Sequence, residues 1–300
     1  MKHQISLSVM PSYFCEYSCK FCYLGALKEN KEKLNIGLLN SQIKDIITKY
    51  DVEHCLVYGG EITLLRLGYL CSVFSVLSQY LHNISIVTML SKLDVIKHLL
   101  DKFPALQIST SYNFDEYSKL IANRIQKLKQ FYKKPIVVNT IVDKKLISKS
   151  IEEVEQTFLD IGIDAVLFLP YSKSVLNKED ASQYEISFAE YEQFLIKAIH
   201  SFKKIKILNK PNQAAKRSLF ITPQNEYALV QYNDKLEEHF EVCRSLLNFE
   251  YKHVQSIPVR CISCQYYENK CMADHMLVQN NQCNGLINLI QEYEAALSSK

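Results

Sequence analysis

The chain alternates short runs of β-branched and aliphatic residues with longer stretches in which apolar residues recur every three or four positions. The first pattern is typical of buried strands and the second of amphipathic helices. The predicted strands are Ile5–Val9, His54–Tyr58, Ile84–Met89, Leu106–Ser111, Ile136–Val142 and Ala165–Leu169. The predicted helices are Leu39–Tyr50, Leu67–Leu81, Ser91–Phe103, Asp115–Tyr132 and Ser150–Ile161. We expect Ser91 to cap its helix and Gly162 to end the last helix.

Strands that alternate with helices predict βαβ units and therefore a parallel sheet. The chain has only seven glycines and no GxGxxG fingerprint, which argues against a dinucleotide-binding sheet. We therefore expect an α/β fold, a partial (β/α)6 barrel of the triosephosphate-isomerase type. Ligands of such a barrel bind at the carboxyl ends of its strands.

The alternation ends at Pro170, where a polar, loop-like stretch begins. One more helix (Ala189–Lys203), a seventh strand (Ile205–Leu208) and a hairpin (Ser218–Thr222 with Tyr227–Gln231) are predicted after it. Cysteines dominate the remainder of the chain. We predict a domain boundary near residue 210, between a barrel at 1–210 and a small cysteine-rich C-terminal extension at 211–300.

Composition narrows the functional classes. Hydrophobic residues make up 48% of the 300 residues, and the net charge of +3 does not predict a nucleic-acid binder. The N-terminus lacks the features of a signal peptide, and the most apolar stretch, Tyr69–Leu81, is too short to span a bilayer. We expect a cytoplasmic protein with no membrane partner. In a reducing compartment, ten cysteines indicate metal ligands rather than disulfides.

Three of these cysteines, Cys15, Cys19 and Cys22, follow the first predicted strand as C-x3-C-x2-C. The spacing would also place them on one face of a helix, where buried cysteines are common core residues. A structural zinc ion takes four ligands, whereas three thiolates suit a [4Fe–4S] cluster with one open iron. Cys55 and Cys71 lie within predicted core elements, and we expect both to be packing residues.

With aromatic Phe21 before its last cysteine, this motif resembles that of the radical S-adenosylmethionine (SAM) superfamily. The resemblance implies that the three cysteines bind a [4Fe–4S] cluster whose open iron binds SAM. It further implies that one electron cleaves SAM to a 5′-deoxyadenosyl radical, which abstracts a substrate hydrogen atom. Phe21 is then expected among the cofactor-binding residues, and a flavodoxin- or ferredoxin-type protein is expected as electron donor.

The second predicted strand ends in Gly59-Gly60-Glu61. Glycines after a strand are also typical of an ordinary turn. The triplet resembles the superfamily motif that contacts the amino group of SAM, although Ile62 stands where proline is more usual. Glycines allow a ligand to approach the backbone closely, and the Glu61 carboxylate could accept hydrogen bonds from an ammonium group.

Further SAM contacts are implied at the next strand ends. Ser109 and Ser111 resemble the polar residues that contact the ribose and carboxylate, although turn-forming residues are also common there. Asn139 interrupts an otherwise apolar strand, where a polar side chain needs a partner. Leu169, before a proline, is expected to present its backbone to the adenine.

The tail of the chain holds five more cysteines, namely Cys243, Cys261, Cys264, Cys271 and Cys283. Their spacing resembles the C-terminal half of SPASM and Twitch extensions, which bind auxiliary clusters. The chain departs from that pattern in a longer middle gap and in His275, which stands at a cysteine position. We expect a second [4Fe–4S] cluster on four of the five cysteines, with zinc as the alternative. The fifth would be a free thiol, and His275 either a ligand or a structural residue.

The resemblance implies modification of a ribosomally synthesised peptide, by crosslinking or epimerisation. Such enzymes usually carry an N-terminal leader-binding domain, and this sequence starts with the first barrel strand. We therefore expect a separate leader-binding protein or, as an alternative, a small-molecule substrate. An activase of glycyl-radical enzymes is a third possibility, but its extra cysteines normally fall nearer the first cluster.

Two other functional classes remain open at this point. One is a non-catalytic iron–sulfur or zinc protein on a decayed barrel, against which the intact cysteine and Gly-Gly-Glu motifs argue. The other is nucleic-acid modification, suggested by lysine patches such as Lys133–Lys134 and Lys203–Lys204. These patches are more typical of solvated helix ends, and no RNA-binding module is recognisable, so we do not expect a nucleic-acid partner.

Overall fold

The computed structural model describes residues 2–171, 173–177, 181–209, 217–232, 238–256, 278–279 and 282–283. The strands are β1 (His3–Val9), β2 (Tyr50–Val57), β3 (Ile84–Val87), β4 (Gln107–Ser111), β5 (Val137–Val142), β6 (Ala165–Pro170), β7 (Lys206–Ile207), β8 (Ser218–Ile221), β9 (Tyr227–Tyr232), β10 (Glu238–Cys243), β11 (Val278–Gln279) and β12 (Gln282–Cys283). The α-helices are α1 (Ile36–Lys49), α2 (Leu67–Tyr80), α3 (Leu93–Lys102), α4 (Ser118–Leu128), α5 (Lys144–Ile147), α6 (Ile151–Ile161), α7 (Phe188–Ser201) and α8 (Leu246–Ser256).

Strands β1 to β10 form one sheet in the order β10-β9-β8-β1-β2-β3-β4-β5-β6-β7. Strands β1 to β7 are parallel and stand side by side in chain order. Because right-handed crossovers then run in one direction, every connecting helix lies on the same face of the sheet. The strand order never reverses, as it would in a doubly wound sheet. The predicted α/β partial barrel is thus confirmed.

The two faces of the sheet differ. One face packs under the helices and carries fully buried side chains such as Ile5, Leu7 and Val9, which belong to the main hydrophobic core. Because side chains alternate along a strand, the intervening residues face the other way, into the barrel. The polar residues of this inner face include Ser6, Ser8, His54, Ser85, Ser109, Ser111 and Asn139. Its aliphatic residues include Leu56, Val87, Val137, Ile141 and Leu167, all partly exposed.

Several helix boundaries differ from the prediction, and α4, for example, covers Ser118–Leu128 rather than Asp115–Tyr132. Helix α1 starts earlier because the Asn35 side chain accepts a hydrogen bond from the Leu38 amide at 3.1 Å. It ends before Tyr50, which begins β2 and packs edge-on against Phe249 of α8. The predicted cap at Ser91 was wrong, because the N-cap position of α3 is Lys92 and no side chain caps it.

The end of α6 follows the sequence closely. Ser150 caps its start by accepting a hydrogen bond from the Glu153 amide at 3.1 Å. Gly162 ends it in the left-handed conformation with φ of +87°. The predicted start and stop of this helix are therefore confirmed.

Residues beyond 210 continue the barrel sheet. Strand β8 pairs in parallel with β1, and the predicted hairpin of β8 and β9 is present, followed by antiparallel β10. Strands from both sides of the predicted boundary therefore share one sheet, and the division into two domains stays a prediction. Cys261, Cys264, Cys271 and His275 lie outside the described residues.

The lysine patches lie at helix and strand ends. The Lys134 ammonium donates to the backbone oxygens of Pro104 and Leu106 at 2.6 and 3.0 Å. Lys133 donates to the carbonyl oxygens of Lys129 and Gln130, just past the end of α4. Lys133 and Lys134 are therefore both paired with backbone carbonyls near the ends of α3 and α4. In the part of the chain that the structure describes, no helix is both long and apolar enough to cross a membrane.

Candidate functional site

The cysteine motif lies on the loop between β1 and α1, residues 10–35, which we call the cysteine loop. The loop folds back on itself, because the Cys15 amide donates to the Lys28 carbonyl at 3.0 Å. Within the motif, the Cys22 amide donates to the Cys19 carbonyl at 3.0 Å. All three cysteines are free and half-buried. The carboxyl end of β1 thus presents three thiols together.

Burial raises the pKa of each thiol, and each is also influenced by its neighbours. Burial is the largest cause of the raised pKa of Cys19, and the charges of Cys22, Asp115 and Cys15 raise this pKa further. The charge of Cys15 likewise raises the pKa of Cys22, after the effect of burial. The three sulfur atoms are therefore close enough to interact electrostatically.

The donor set of three thiols is compatible with a [4Fe–4S] cluster that leaves one iron open. Within the described residues, no group of three His, Cys, Asp or Glu side chains is arranged to hold one metal ion. A [4Fe–4S] cluster binds each thiolate to a different iron, so its ligands do not converge on one point. Three half-buried thiols on one loop match that requirement.

The Gly-Gly-Glu turn after β2 packs directly on the cysteine loop. The Gly60 amide donates to the Ser12 carbonyl at 2.9 Å, and the Glu61 amide donates to the Phe14 carbonyl at 3.0 Å. A Cβ atom on Gly59, whose φ is +146°, would lie 2.5 Å from the Ser12 oxygen. We expected the glycines to admit a ligand, but the structure shows that they first admit the backbone leading into Cys15.

The Glu61 side chain is only 2% exposed and accepts four hydrogen bonds. Oε1 accepts from the Thr63 amide, from the Thr63 hydroxyl and from the Thr88 hydroxyl at 2.5 Å. Oε2 accepts from the Met89 amide at 2.6 Å. A carboxylate oxygen has two lone pairs, so Oε2 keeps one acceptor site. Burial is the largest cause of the raised pKa of Cys15, and the charge of Glu61 raises this pKa further. The carboxylate therefore lies near the thiols.

A second network joins the cysteine loop to β3 and α4. Tyr17, which lies between the first two cysteines, is buried, and its hydroxyl hydrogen-bonds to Ser91 Oγ at 2.6 Å. Arg124 of α4 donates through one nitrogen to the Tyr17 hydroxyl and to the Met89 carbonyl, the latter at 2.9 Å. Because the Met89 amide donates to Glu61, the backbone of this one residue connects the Glu61 carboxylate with the Arg124 guanidinium.

The turn that builds this network is strained. Leu90 follows β3 with φ of +59° although it is not glycine, and it is fully buried. Left-handed backbone in such a residue is uncommon and is held in place by its surroundings. Here the turn directs the Met89 amide toward Glu61 and the Met89 carbonyl toward Arg124. It also directs the Ser91 hydroxyl toward Tyr17. Sequence reasoning missed Tyr17 and Arg124, since neither belongs to a motif.

The predicted contacts on β4 and β5 divide into two kinds. Ser109 donates to the Ile86 carbonyl at 3.1 Å and is therefore already paired. Ser111 and Asn139 are adjacent in the β4–β5 register, and both lie half-buried on the inner face. Among the described residues, neither side chain has a hydrogen-bond partner, so both are available to a ligand. Leu169, at the end of β6, is 37% exposed.

The other predicted site residues lie around the cysteine loop or away from it. Phe21 is half-buried on the loop itself. Cys243 is 2% exposed and ends β10 in the main core, where burial raises the pKa of its thiol to about 11. Cys283 belongs to β12. The structure therefore does not test whether the tail cysteines bind a second cluster.

Strands β8 to β10 form a wall beside the cysteine loop. Met10, Tyr13 and Leu24 of the loop form a second hydrophobic cluster with Phe220 of β8 and Ala228 of β9. Cys22 and Phe240 of β10 are among the partly buried residues packed against this cluster. The strands that continue the sheet beyond β1 thus support the loop that carries the thiols.

Solved structures share this architecture, although neither a protein-family model nor a curated protein matches the sequence. A structure of anSMEcpe with bound AdoMet and the Cp18Cys peptide superposes with a TM-score of 0.68 at 14% identity, over 99% of this chain and 97% of that one. The neighbour anSMEcpe is a radical SAM enzyme, as are SuiB and HydG, which also superpose on this chain. The chain has the radical SAM fold.

SuiB of Streptococcus suis, bound to its precursor peptide SuiA, gives a TM-score of 0.56 at 14% identity, over 76% of this chain and 59% of SuiB. HydG, a maturase of the [FeFe]-hydrogenase, gives a TM-score of 0.51 at 12% identity, over 66% of this chain and 49% of HydG. In this radical SAM fold, the carboxyl ends of β1 to β5 bring together the thiols, Glu61, Ser111 and Asn139.

Proposed function

We propose that this protein is a radical SAM enzyme, which reductively cleaves SAM and abstracts a hydrogen atom from a peptide substrate. The observation that carries the proposal is the packing of the Gly-Gly-Glu turn on the cysteine loop. It holds three thiols beside a buried carboxylate that keeps one free acceptor site. An iron–sulfur cluster and the amino group of a ligand that binds it would need this pair of features at one place.

When bound, the cluster and SAM would supply the electron and the 5′-deoxyadenosyl radical. Glu61 would accept a hydrogen bond from the SAM ammonium through Oε2. Arg124, whose hydrogen bonds among the described residues use only one of its nitrogens, keeps donors for the SAM carboxylate. Ser111 and Asn139 would bind the remaining polar groups, and Leu169 and Phe21 would flank them.

The inner face of the sheet supports a neutral substrate. Toward the carboxyl ends of β1 to β6, none of the inner-facing strand positions carries Asp, Glu, Lys or Arg. Serines, His54, Leu56 and Val87 line the side formed by β1 to β4, and Asn139 lies among Val137, Ile141 and Leu167 on the side formed by β5 and β6. Such a surface suits aliphatic and uncharged polar groups, as in a peptide, better than phosphates or multiple carboxylates.

Two of the similar structures, anSMEcpe and SuiB, also contain bound peptides. They are SPASM/Twitch-type enzymes, which agrees with the interpretation of the tail cysteines. A second [4Fe–4S] cluster, or zinc, on four of Cys243, Cys261, Cys264, Cys271 and Cys283 belongs to the proposal. The proposal also includes a flavodoxin- or ferredoxin-type electron donor and a separate leader-binding protein.

Metal content and SAM cleavage test the proposal together. After anaerobic reconstitution, we expect about eight iron atoms per chain if two [4Fe–4S] clusters form, and about four with one zinc if the tail binds zinc. With dithionite and SAM, the holoenzyme should form 5′-deoxyadenosine. Cys19→Ala should abolish this activity and remove about four iron atoms. The matched control is Cys71→Ala, which replaces a half-buried cysteine on α2. This variant should retain both the iron content and the SAM cleavage of the unmodified enzyme.

The absence of iron in the reconstituted protein would overturn the proposal. Formation of 5′-deoxyadenosine by Cys19→Ala at the rate of the unmodified enzyme would also overturn it.

A further inference from the structure

A short segment after β6, Ser174–Asn177, contacts the part of the cysteine loop that follows Cys19; we call it the β6 strap. Ser174 is 3% exposed, and its hydroxyl donates to the Tyr23 carbonyl at 2.9 Å. The Asn177 side-chain amide donates to the Lys20 carbonyl at 2.9 Å. These two carbonyls lie on either side of the Phe21–Cys22 dipeptide.

The backbone of the strap adds a third contact. The Ala26 amide donates to the Leu176 carbonyl at 2.9 Å, and the Leu176 side chain packs against the hydrophobic cluster that contains Leu24. The Leu176 amide in turn donates to Ser174 Oγ at 3.1 Å, which fixes the shape of the strap. Three hydrogen bonds and an apolar contact thus hold one half of the cysteine loop.

The strap connects parts of the barrel that the sheet keeps apart. Strands β1 and β6 are separated in the sheet by β2 to β5. The strap starts four residues after the end of β6 and crosses to the loop that follows β1. The conformation at Cys22 therefore depends on the carboxyl end of the last long barrel strand, where Leu169 is exposed.

We propose that Ser174 and Asn177 are positioning residues that hold Cys22 in the conformation required for cluster binding. The inference rests on the proposed function. The first half of the cysteine loop is held by the Gly-Gly-Glu turn and by Tyr17, whereas the Cys22 half is held by the strap and by the hydrophobic cluster that includes Phe220 and Ala228. Loss of the strap should therefore loosen the Cys22 half and would shift the Cys22 sulfur from the position that cluster binding requires.

The test compares Ser174→Ala and Asn177→Asp with matched controls elsewhere in the fold. Asn177→Asp keeps the side-chain shape but removes the donor. Asn83→Asp is its control, because Asn83 makes the same kind of bond, to the Glu53 carbonyl at 3.1 Å, away from the cysteine loop. Ser41→Ala is the control for Ser174, because Ser41 donates to the Leu38 carbonyl at 2.8 Å on α1.

The readouts are the rate at which reconstituted holoenzyme loses iron to a ferrous chelator and the EPR spectrum of the reduced cluster with and without SAM. Loss of one such bond should accelerate iron release about fivefold to tenfold. It should also broaden or shift the EPR signal, while both controls match the unmodified enzyme. Ser174→Thr keeps the hydroxyl and should restore the slow release.

If Ser174→Ala and Asn177→Asp release iron at the rate of their controls with unchanged spectra, the positioning role is wrong and the proposed function stands. If the unmodified protein binds no iron, both inferences fail together. Should Ser174→Ala fail to fold, as judged by thermal unfolding, Asn177→Asp and its control decide the question, because Asn177 is on the partly exposed side of the strap.

Discussion

The backbone of Gly60 lies so close to that of Phe14 that a Cβ atom on Gly60 would stand 2.0 Å from the Phe14 carbonyl oxygen. The second strand end and the cysteine loop are thus packed backbone on backbone. Since neither backbone is free to yield like a flexible side chain, the distance between the thiols and Glu61 is fixed by these glycines.

Gly60→Ala should therefore separate the Gly-Gly-Glu turn from the cysteine loop. We expect a loss of about 2–3 kcal/mol in the free energy of unfolding, as for other overpacked sites, together with loss of SAM cleavage. The matched control is Gly68→Ala in α2, where an added Cβ meets no atom within 4 Å. This substitution should stabilise the helix by about 1 kcal/mol, because alanine favours helix more than glycine does. Urea unfolding of both variants checks the prediction, and equal stabilities would contradict it.

Glu61→Gln should be costly although it preserves the shape of the side chain. The Gln amide nitrogen cannot accept the hydrogen bonds that one of the two carboxylate oxygens now accepts, so a buried donor loses its partner. We expect a loss of about 2–3 kcal/mol in the free energy of unfolding and much weaker SAM binding.

Glu155→Gln is the control for that change. Glu155 of α6 accepts three backbone hydrogen bonds, from Lys203, Lys204 and Ile205 just after α7, but it lies near solvent. Its substitution should cost less than about 1 kcal/mol and leave SAM binding unchanged. Urea unfolding and isothermal titration with SAM separate the two outcomes. An equal loss of stability in both variants would show that burial of Glu61 does not matter.

The sequence predicted features that are local or periodic. The alternation of strands with helices predicted the parallel sheet, and the cysteine and Gly-Gly-Glu motifs are contiguous in the chain. The Ser91 cap failed because the Tyr17 hydroxyl binds this serine across 74 positions. Arg124 contacts Tyr17 across 107 positions, and the strap contacts the cysteine loop across more than 150. No local pattern encodes such contacts, so sequence reasoning missed the residues that hold the site together.

Tyr17→Phe tests the network that joins the cysteine loop to α4. The ring keeps its edge-on contact with Tyr117, 5.3 Å between centroids, while the hydroxyl that binds Ser91 and Arg124 is lost. We expect a loss of about 1–2 kcal/mol in the free energy of unfolding. Because Arg124 is then less well fixed, SAM should also bind about tenfold more weakly to the holoenzyme, equivalent to 1.4 kcal/mol.

Tyr80→Phe is the control for this variant, since the Tyr80 hydroxyl donates to Asn40 Oδ1 at 3.1 Å between α2 and α1. It should cost less than about 1 kcal/mol and leave the SAM dissociation constant unchanged. Equilibrium binding of SAM to both reconstituted variants makes the comparison. Unaltered SAM affinity in Tyr17→Phe would remove Tyr17 from the site.

The stability of the protein should depend on pH through His54, which faces the barrel interior. An irregularity between Ile5 and Ser6 in the β1–β2 pairing sets His54 opposite Ser6, and its Nε2 hydrogen-bonds to Ser85 Oγ at 2.8 Å. Burial lowers the pKa of His54 below its ordinary value of 6.5. The folded protein therefore keeps this side chain neutral, and the inner face stays uncharged at neutral pH.

The sign of the effect follows from proton binding. Below pH 6.5 the unfolded chain binds a proton at His54 more readily than the folded protein does, so the free energy of unfolding should fall as the pH is lowered from about 7.5 to 5.5. His54→Gln lacks this proton-binding group but keeps a polar side chain beside Ser85. Urea unfolding across this pH range should show a steeper loss of stability for the unmodified protein than for His54→Gln. Parallel curves for the two proteins would show that His54 is solvated like a surface histidine and does not face a protected cavity.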